Sequence, residues 1–393
     1  MKHVITLFLD VFFLFHVSIH LQGRDDFQIT LLRVIESITE EFSVILENPD
    51  IFIHKILPSL AVLYKGNKDG DARFLCLKVL FDVMVIFLNE PSLDGQKLED
   101  LKQIANLHFL PLYPALIEDD DPIPMYAQKL LVMLIECNYI KISDILHLKT
   151  ISQCFEFLLG DLSNANVSSV KLCLALASAP EMESRILSQL KVVRRIGILL
   201  EFVYAKDMED FLEPTLGLCR ALLLRSVSCR KGFIYSKEPL LLGDGTTEQN
   251  VIVNQQECIR DISDFGNNFG VLLELSGSSE ANIADIASEC VVFLVMAAPR
   301  EGTTGLLTNL HKVSVILESW RRGGCLLLVQ RMLHSLGYAC RQYLAHAMIL
   351  SLSMSEISRI EAIISEIKSS GTSRLANDAM LVAMELQRLH RCI

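Results

Sequence analysis

Apolar residues recur with helical periodicity over long stretches of this chain, and residues 110–136 show the pattern most plainly. Leu110, Leu112, Ala115 and Leu116 mark one buried stripe, and Leu130, Leu131, Leu134 and Ile135 mark a second. Between the stripes stand Asp119, Asp120 and Asp121, which are costly to bury and predict an exposed corner. Pro122 and Pro124 lack amide donors and push Asp121 and Ile123 away from helical geometry. Pro124 can still occupy the first turn of the helix that follows. The segment reads as a helical hairpin with two apolar faces, and such a unit is stable only between neighbours.

The rest of the chain reads as those neighbours. Residues 25–47 predict one amphipathic helix with Leu31, Leu32, Ile35, Ile38, Phe42 and Ile45 on its inner side. Asp25 or Asp26 can cap it, and Asn48-Pro49 stops it. Helices over 51–64 and 72–88 follow, separated by the polar corner 66–71. Leu57-Pro58 and Leu110-Pro111 lie 53 residues apart. Each precedes an apolar helix, an acidic corner and a second helix with a lysine (Lys78, Lys129) ahead of aliphatic residues. Weaker copies span 271–298 and 362–389, the latter with Ser369-Ser370-Gly371 as its corner. Further helices are predicted over 150–159, 168–177, 182–191, 192–204, 211–224, 304–318, 325–336 and 341–352. Loops fall at 90–96 and 236–254, the second a long insertion, and Trp320 to Gly324 reads as a helix end and hinge. No segment sustains strand alternation. The expected fold is all-α, an armadillo/HEAT-type helical-repeat superhelix (α-solenoid) continuous over 23–393.

Composition sharpens this expectation. A hydrophobic content of 51% and a mean hydropathy of +0.37 are high, but charges punctuate the apolar runs, so buried helices are expected and stable membrane insertion is not. The net charge of −11 argues against nucleic acid as a partner, and against acidic protein surfaces unless a local basic patch overrides it. The eleven cysteines form no CxxC pair and most fall inside apolar runs, as reduced, buried thiols do.

The first 22 residues imitate a secretory signal or membrane anchor, but Asp10 interrupts the apolar run and no small-residue cleavage site follows. Three readings compete: a true signal or anchor, an ordinary buried helix, or a translated pyrimidine tract and splice acceptor. The pyrimidine-rich codons implied by residues 12–22 favour the last. On that reading, coding sequence begins near Gly23 and the chain is the C-terminal part of a longer protein.

Candidate chemistry is thin. Asp264-Phe265-Gly266 spells the magnesium triplet of protein kinases, but no Gly-rich loop, strand lysine or His-Arg-Asp loop precedes it. His311, His334, His346 and His390 stand singly on predicted helices, and no HExxH, GxSxG elbow, P-loop or dinucleotide fingerprint occurs. Residues 118–121 could hold a cation, but the alternation of an EF-hand loop is missing and a solvated turn fits better. No cofactor, metal or catalytic residue is expected. The one basic region holds Arg185, Lys191, Arg194, Arg195, Arg220, Arg225, Arg230 and Lys231, opposed by Glu201, Asp207, Glu209, Asp210 and Glu213. It is either a solvated ridge or a partner-binding surface for an anionic protein segment such as a tubulin tail.

The stretch FLPLYPALIEDDDPIPMYAQKLLVMLIE (109–136) resembles the C-terminal helical-repeat region of the fourth type of Unc-51-like kinases, a Fused-related group whose plant branch is the Runkel family. The resemblance rests on a Leu-Pro-Leu-Tyr helix, an acidic turn, Asp-Pro-Ile-Pro and a Tyr-Ala-x-Lys-Leu-Leu helix. Leu110, Pro111, Asp121, Pro122, Pro124, Tyr126, Lys129 and Leu130 are the repeat-motif residues that match. It extends more weakly to 261–318. The family implies a kinase-like domain followed by an armadillo-type array, with other proteins as partners, microtubules or microtubule motors among them. It also implies a cytoplasmic, cytoskeletal role in phragmoplast organisation during plant cytokinesis. No catalytic residue carries over, because the kinase-like domain has no counterpart in these 393 residues. A generic helical-repeat adaptor, or the regulatory region of an active serine/threonine kinase, are the alternatives.

Overall fold

The computed structural model describes residues 25–91, 93–162, 165–182, 186–187, 190–235, 262–322, 326–370 and 373–392. The N-terminal apolar segment, the 236–254 loop, most of the helix expected over 182–191, the glycines of the 320–324 hinge and Gly371 lie outside them. Every regular element among the described residues is helical, so the all-α expectation holds.

The residues form two compact units, one ending at Cys154 and one beginning at Phe155. In the first, α1 (Asp25–Thr39) packs on α5 (Gly70–Leu88), which also receives α4 (Leu57–Gly66) and α8 (Ile123–Glu136). Side-chain caps set the helix starts. Asp69 accepts from the Ala72 amide at 2.9 Å ahead of α5, and Asp94 accepts from the Gln96 amide at 3.3 Å ahead of α6 (Gly95–Ile104).

The two Leu-Pro pairs share a feature that periodicity did not reveal. A π-helical turn, Phe52–Ile56, runs directly into Leu57-Pro58, and another, Ala105–Phe109, runs directly into Leu110-Pro111. The Leu57 amide donates to the Phe52 carbonyl and the Leu110 amide to the Ala105 carbonyl, five residues back in each case. A proline has no amide and clashes with the carbonyl four residues earlier, so widening the preceding turn keeps the helical run unbroken. Leu110-Pro111 therefore lies inside a continuous run that starts at Gly95 and passes through a 3-10 turn (Leu110–Leu112) into α7 (Tyr113–Leu116).

Several expected boundaries shift, each for a local reason. The helix expected over 25–47 breaks at Glu40-Glu41, where Thr39 turns its hydroxyl onto the Glu36 carbonyl at 2.7 Å. The break resets the phase, so Phe42 on α2 (Phe42–Glu47) is 61% exposed rather than buried. Ala115 is likewise exposed, and the inner stripe there is Phe109, Leu112, Tyr113, Leu116 and Ile117. Ile123 is helical after all: it opens α8 behind Pro122, with Pro124 in the first turn.

In the second unit, α12 (Glu209–Tyr235) packs against α10 (Val167–Ser178), α11 (Val192–Ala205) and α14 (Ala281–Ala297). The predicted hairpin at 271–298 is present as α13 (Phe269–Ser276) and α14. The helix expected over 304–318 is two helices, α15 (Pro299–Thr308) and α16 (Leu310–Glu318). Asn309 separates them by donating to the Gly305 carbonyl at 2.8 Å in place of a backbone amide. Conversely, the helices expected over 325–336 and 341–352 are one, α17 (Leu326–Ala345). Gly337 does not break α17, because a Cβ there would already stand 3.2 Å from Val382, so the missing side chain serves close packing on α19 (Ser373–Cys392). Helix α18 (Met354–Ser370) pairs with α19.

Cys76, Cys154, Cys173, Cys219, Cys290 and Cys340 are buried thiols, and Cys137 is exposed. Burial pushes the Cys154 thiol up to about 11 and Cys340 to about 12, so both stay protonated at neutral pH.

Candidate protein-interaction surfaces

The acidic corner of the 110–136 hairpin is only partly exposed. Asp120 and Asp121 face solvent, but the Asp119 side chain is 9% exposed and turned back towards the preceding hairpin. Its two oxygens receive the Arg73 guanidinium at 2.7 and 2.8 Å, and the Tyr64 hydroxyl donates to it at 2.5 Å. Burial on its own raises the Asp119 carboxyl. The Arg73 guanidinium, the Tyr64 hydroxyl and the Asp120 amide outweigh burial and hold it below the usual carboxylate range. Arg73 also donates to the Lys68 carbonyl at 2.8 Å, tying the two acidic corners to each other. Two of the matched motif residues, Tyr126 and Lys129, serve the same seam. Tyr126 packs edge-on against Phe74 and Phe81, with ring centroids 5.6 and 5.3 Å apart, and Lys129 lies 5.3 Å over the Phe81 ring. Lys78, at the matching position one hairpin earlier, reaches back to Glu36 on α1. Leu130 is fully buried, Leu110 is half-buried and Pro111 is exposed.

Many contacts of this kind recur at a similar sequence distance. Arg73 and Asp119 are 46 residues apart, Lys78 and Glu36 42, and Arg195 and Glu156 39. Lys312 and Glu274 are 38 apart, Arg331 and Asp285 46, Arg359 and Glu318 41, and Arg321 and Glu366 45. Spacings of 38–48 residues match one turn of a HEAT or armadillo repeat. The 53-residue offset of the two Leu-Pro pairs is longer because α6 and its leading loop intervene. These polar ties between successive helical layers were missed in the sequence, where acid–base pairs about forty residues apart were the available signal.

Among the described side chains, the arginines of the basic region are engaged within the fold. Arg185 lies outside the described residues, as do the side chains of Arg230 and Lys231. Arg195 pairs with Glu156 at 2.6 Å, Arg220 with Glu289 at 3.2 Å, and Arg194 with Asp264 of the Asp-Phe-Gly triplet at 3.5 Å. Arg225 is turned inward and donates to the carbonyls of Ala177, Ala179 and Met182, closing the loop that follows α10. Lys191 is exposed, at a left-handed φ of 51° ahead of α11.

Among the described residues no three His, Cys, Asp or Glu side chains converge as metal ligands, and no helix is long and apolar enough to cross a membrane. An open groove of about 850 Å³ lies between α15 and the end of α17, where Arg300, Tyr338, Gln342 and His346 face Met348 and Ile349. It is a surface feature, without an enclosed floor of charged groups.

Stacked helical hairpins tied layer to layer at a forty-residue spacing define a helical-repeat protein of armadillo/HEAT type. Comparison with known proteins agrees. A family model described as the RUNKEL ARM-repeat domain matches residues 149–392, and one described as serine/threonine-protein kinase ULK4-like, HEAT repeats, matches residues 7–143. The chain belongs to the RUNKEL ARM-repeat family. It is 62% identical over 385 residues to the serine/threonine-protein kinase RUNKEL of Arabidopsis thaliana. That alignment covers 95% of this chain and 28% of the relative, so the chain spans little more than a quarter of the relative's length. Among solved structures, an engineered protein aligns with 96% of this chain and 99% of its own at 13% identity and a TM-score of 0.43. A circular tandem repeat protein aligns with 99% of this chain and 96% of its own at 14% identity and a TM-score of 0.20. Values this low carry no structural argument.

Proposed function

We propose that this chain is a non-catalytic scaffold that binds other proteins through the outer faces of its helical repeats. The observation that carries the reading is the match of nearly all of the chain to repeat models, while it spans 28% of a relative whose name is that of a kinase. Its polar side chains support the same reading. The best-formed network, Tyr64–Arg73–Asp119, joins helices to one another and leaves no open site for a substrate. The finer proposal is a cytoplasmic role in organising microtubules and the phragmoplast during plant cytokinesis, with microtubules or microtubule motors as partners. It rests on the family resemblance of residues 109–136 and on the RUNKEL relative.

Affinity capture with the 393-residue chain from synchronised dividing plant cells tests this. Tubulin or kinesins among proteins retained after a salt wash support the cytokinesis role. Reproducible capture of partners unrelated to the cytoskeleton replaces that role with a general adaptor. Failure to retain any protein removes the scaffold reading itself. A second reading, regulation of a kinase domain, is favoured by the relative's name. It predicts that adding this region to the separate kinase domain of such a protein changes nucleotide binding or phosphotransfer.

A further inference from the structure

Helix α17 stops at Ala345, and the chain runs through residues 346–353 before α18 begins at Met354. Ala347 makes the turn at a left-handed φ of 44°, which a residue with a Cβ adopts at a cost. The last backbone bond behind this stretch joins the Met348 amide to the Tyr343 carbonyl at 3.2 Å, and the next ahead joins the Ile357 amide to the Ser353 carbonyl at 3.1 Å. In between, none of the amides and carbonyls of residues 349–352 has a hydrogen-bond partner among the described residues. Burial alternates along the same stretch: Met348, Leu350 and Leu352 are half-buried, whereas Ile349, Ser351 and Ser353 are exposed. A period of two belongs to an extended strand. Ile349 is 98% exposed. This unpaired, strand-like stretch forms one lip of the groove of about 850 Å³, and Arg300, Tyr338, Gln342 and His346 line the other side. Its walls belong to layers that are both in place, α15 against α17 and α17 against α19, so the opening is not a stacking face of the array.

Charge narrows the occupant. No aspartate or glutamate lines the groove, and Arg300 is exposed and pairs with no acid among the described residues. In a chain of net charge −11, an acid-free groove with an unpaired guanidinium is a local exception that selects an anionic guest. A second copy offers a matching strand but no anion on it, because residues 346–353 carry no acid. A membrane surface supplies the anion but leaves the free amides and carbonyls of 349–352 unpaired beside lipid, which is costly. We propose that this groove takes an extended segment of another protein, added as a strand along residues 349–352, with an aliphatic side chain against Ile349 and a carboxylate at Arg300. Main-chain pairing supplies the affinity, and the side-chain contacts set register and choice of partner. The proposal rests on the protein-binding scaffold reading and names the face and the class of partner.

Selection from a displayed library of random 12-residue peptides tests it on the full chain. The expected peptides alternate aliphatic and polar residues and carry Glu or Asp at one fixed place. They lose at least tenfold in affinity, by fluorescence anisotropy, against Ile349→Asp and against Arg300→Glu. Exchanging the peptide's acid for Lys recovers the loss on Arg300→Glu. Methylating the peptide's own amides one at a time weakens binding at alternate positions only, as strand pairing requires. Both chain positions are exposed, and circular dichroism confirms that each variant keeps its helical content. A library without binders, peptides without an acidic bias, unchanged affinity for the variants, or indifference to methylation overturns the proposal. So does a photocrosslinker in place of Ile349 that joins the chain to itself or to a second copy, or pelleting with phosphatidylserine vesicles that Ile349→Asp abolishes; these outcomes assign the groove to the chain itself, a dimer or a membrane. Cellular capture separates this failure from that of the scaffold reading: partners retained equally by Ile349→Asp leave the scaffold standing and remove only this groove.

Discussion

The first unit centres its polar ties on one shielded carboxylate, Asp119, whereas most carboxylates that tie the second lie nearer the surface. In the first, Asp119 is 9% and Arg73 20% exposed, and a tyrosine hydroxyl completes the group. In the second, the ties run from Arg331, 15% exposed, through Lys312 with Glu274, 35% and 53%, to Arg321 with Glu366, 51% and 49%. The repeat spacing is the same, but the dielectric around the ties is not. A shielded pair locks one arrangement and penalises the loss of either partner, whereas an exposed pair sets register and contributes little. The difference teaches that polar ties in this chain fix which layers meet, and that burial decides how much stability depends on them.

The comparison breaks most easily at Asp119. Replacing it with alanine strands the Arg73 guanidinium and is expected to cost the first unit about 3 kcal/mol, read as a lower urea midpoint. Acid should do the same reversibly. The folded carboxyl titrates below its unfolded value, so ionised Asp119 stabilises the fold above about pH 4. That contribution disappears as pH falls through the lower folded value. The wild-type chain should therefore lose an acid-dependent increment of stability that Asp119→Ala lacks.

In the second unit the largest effect is expected from packing instead. A Cβ at Gly302 would stand 2.6 Å from the Val295 Cα, where α15 crosses α14. Gly302→Ala should destabilise by about 2 kcal/mol through overpacking, visible as a lower thermal midpoint. Arg331→Met removes hydrogen bonds to Asp285 at 2.6 Å, Ser288 at 2.9 Å and Glu289 at 3.0 Å but keeps the aliphatic stem. A loss of about 1 kcal/mol is expected. Lys312→Ala, at the exposed end of the series, should cost about 0.5 kcal/mol or less and only at low salt.

Much of this architecture was legible in the apolar spacing. The hairpins at 110–136 and 271–298, the Leu-Pro correspondence and the all-α class follow from period and punctuation. Three kinds of feature were not. The π turns before Pro58 and Pro111 are a backbone response to a missing amide, and they leave no mark in side-chain periodicity. The breaks at Thr39 and Asn309 depend on a side chain competing for a carbonyl, which either residue can also decline to do. The inward turn of Asp119 depends on Arg73, 46 residues away in sequence, so a run of three aspartates looked uniformly exposed.

A pair of double-mutant cycles, Arg73/Asp119 in one unit and Lys312/Glu274 in the other, puts the central claim to its most direct test. Each is measured by urea unfolding at the same salt concentration. The account predicts a coupling of about 2–3 kcal/mol for the first pair and about 0.5 kcal/mol or less for the second. Equal couplings, or a larger one for Lys312/Glu274, would contradict it.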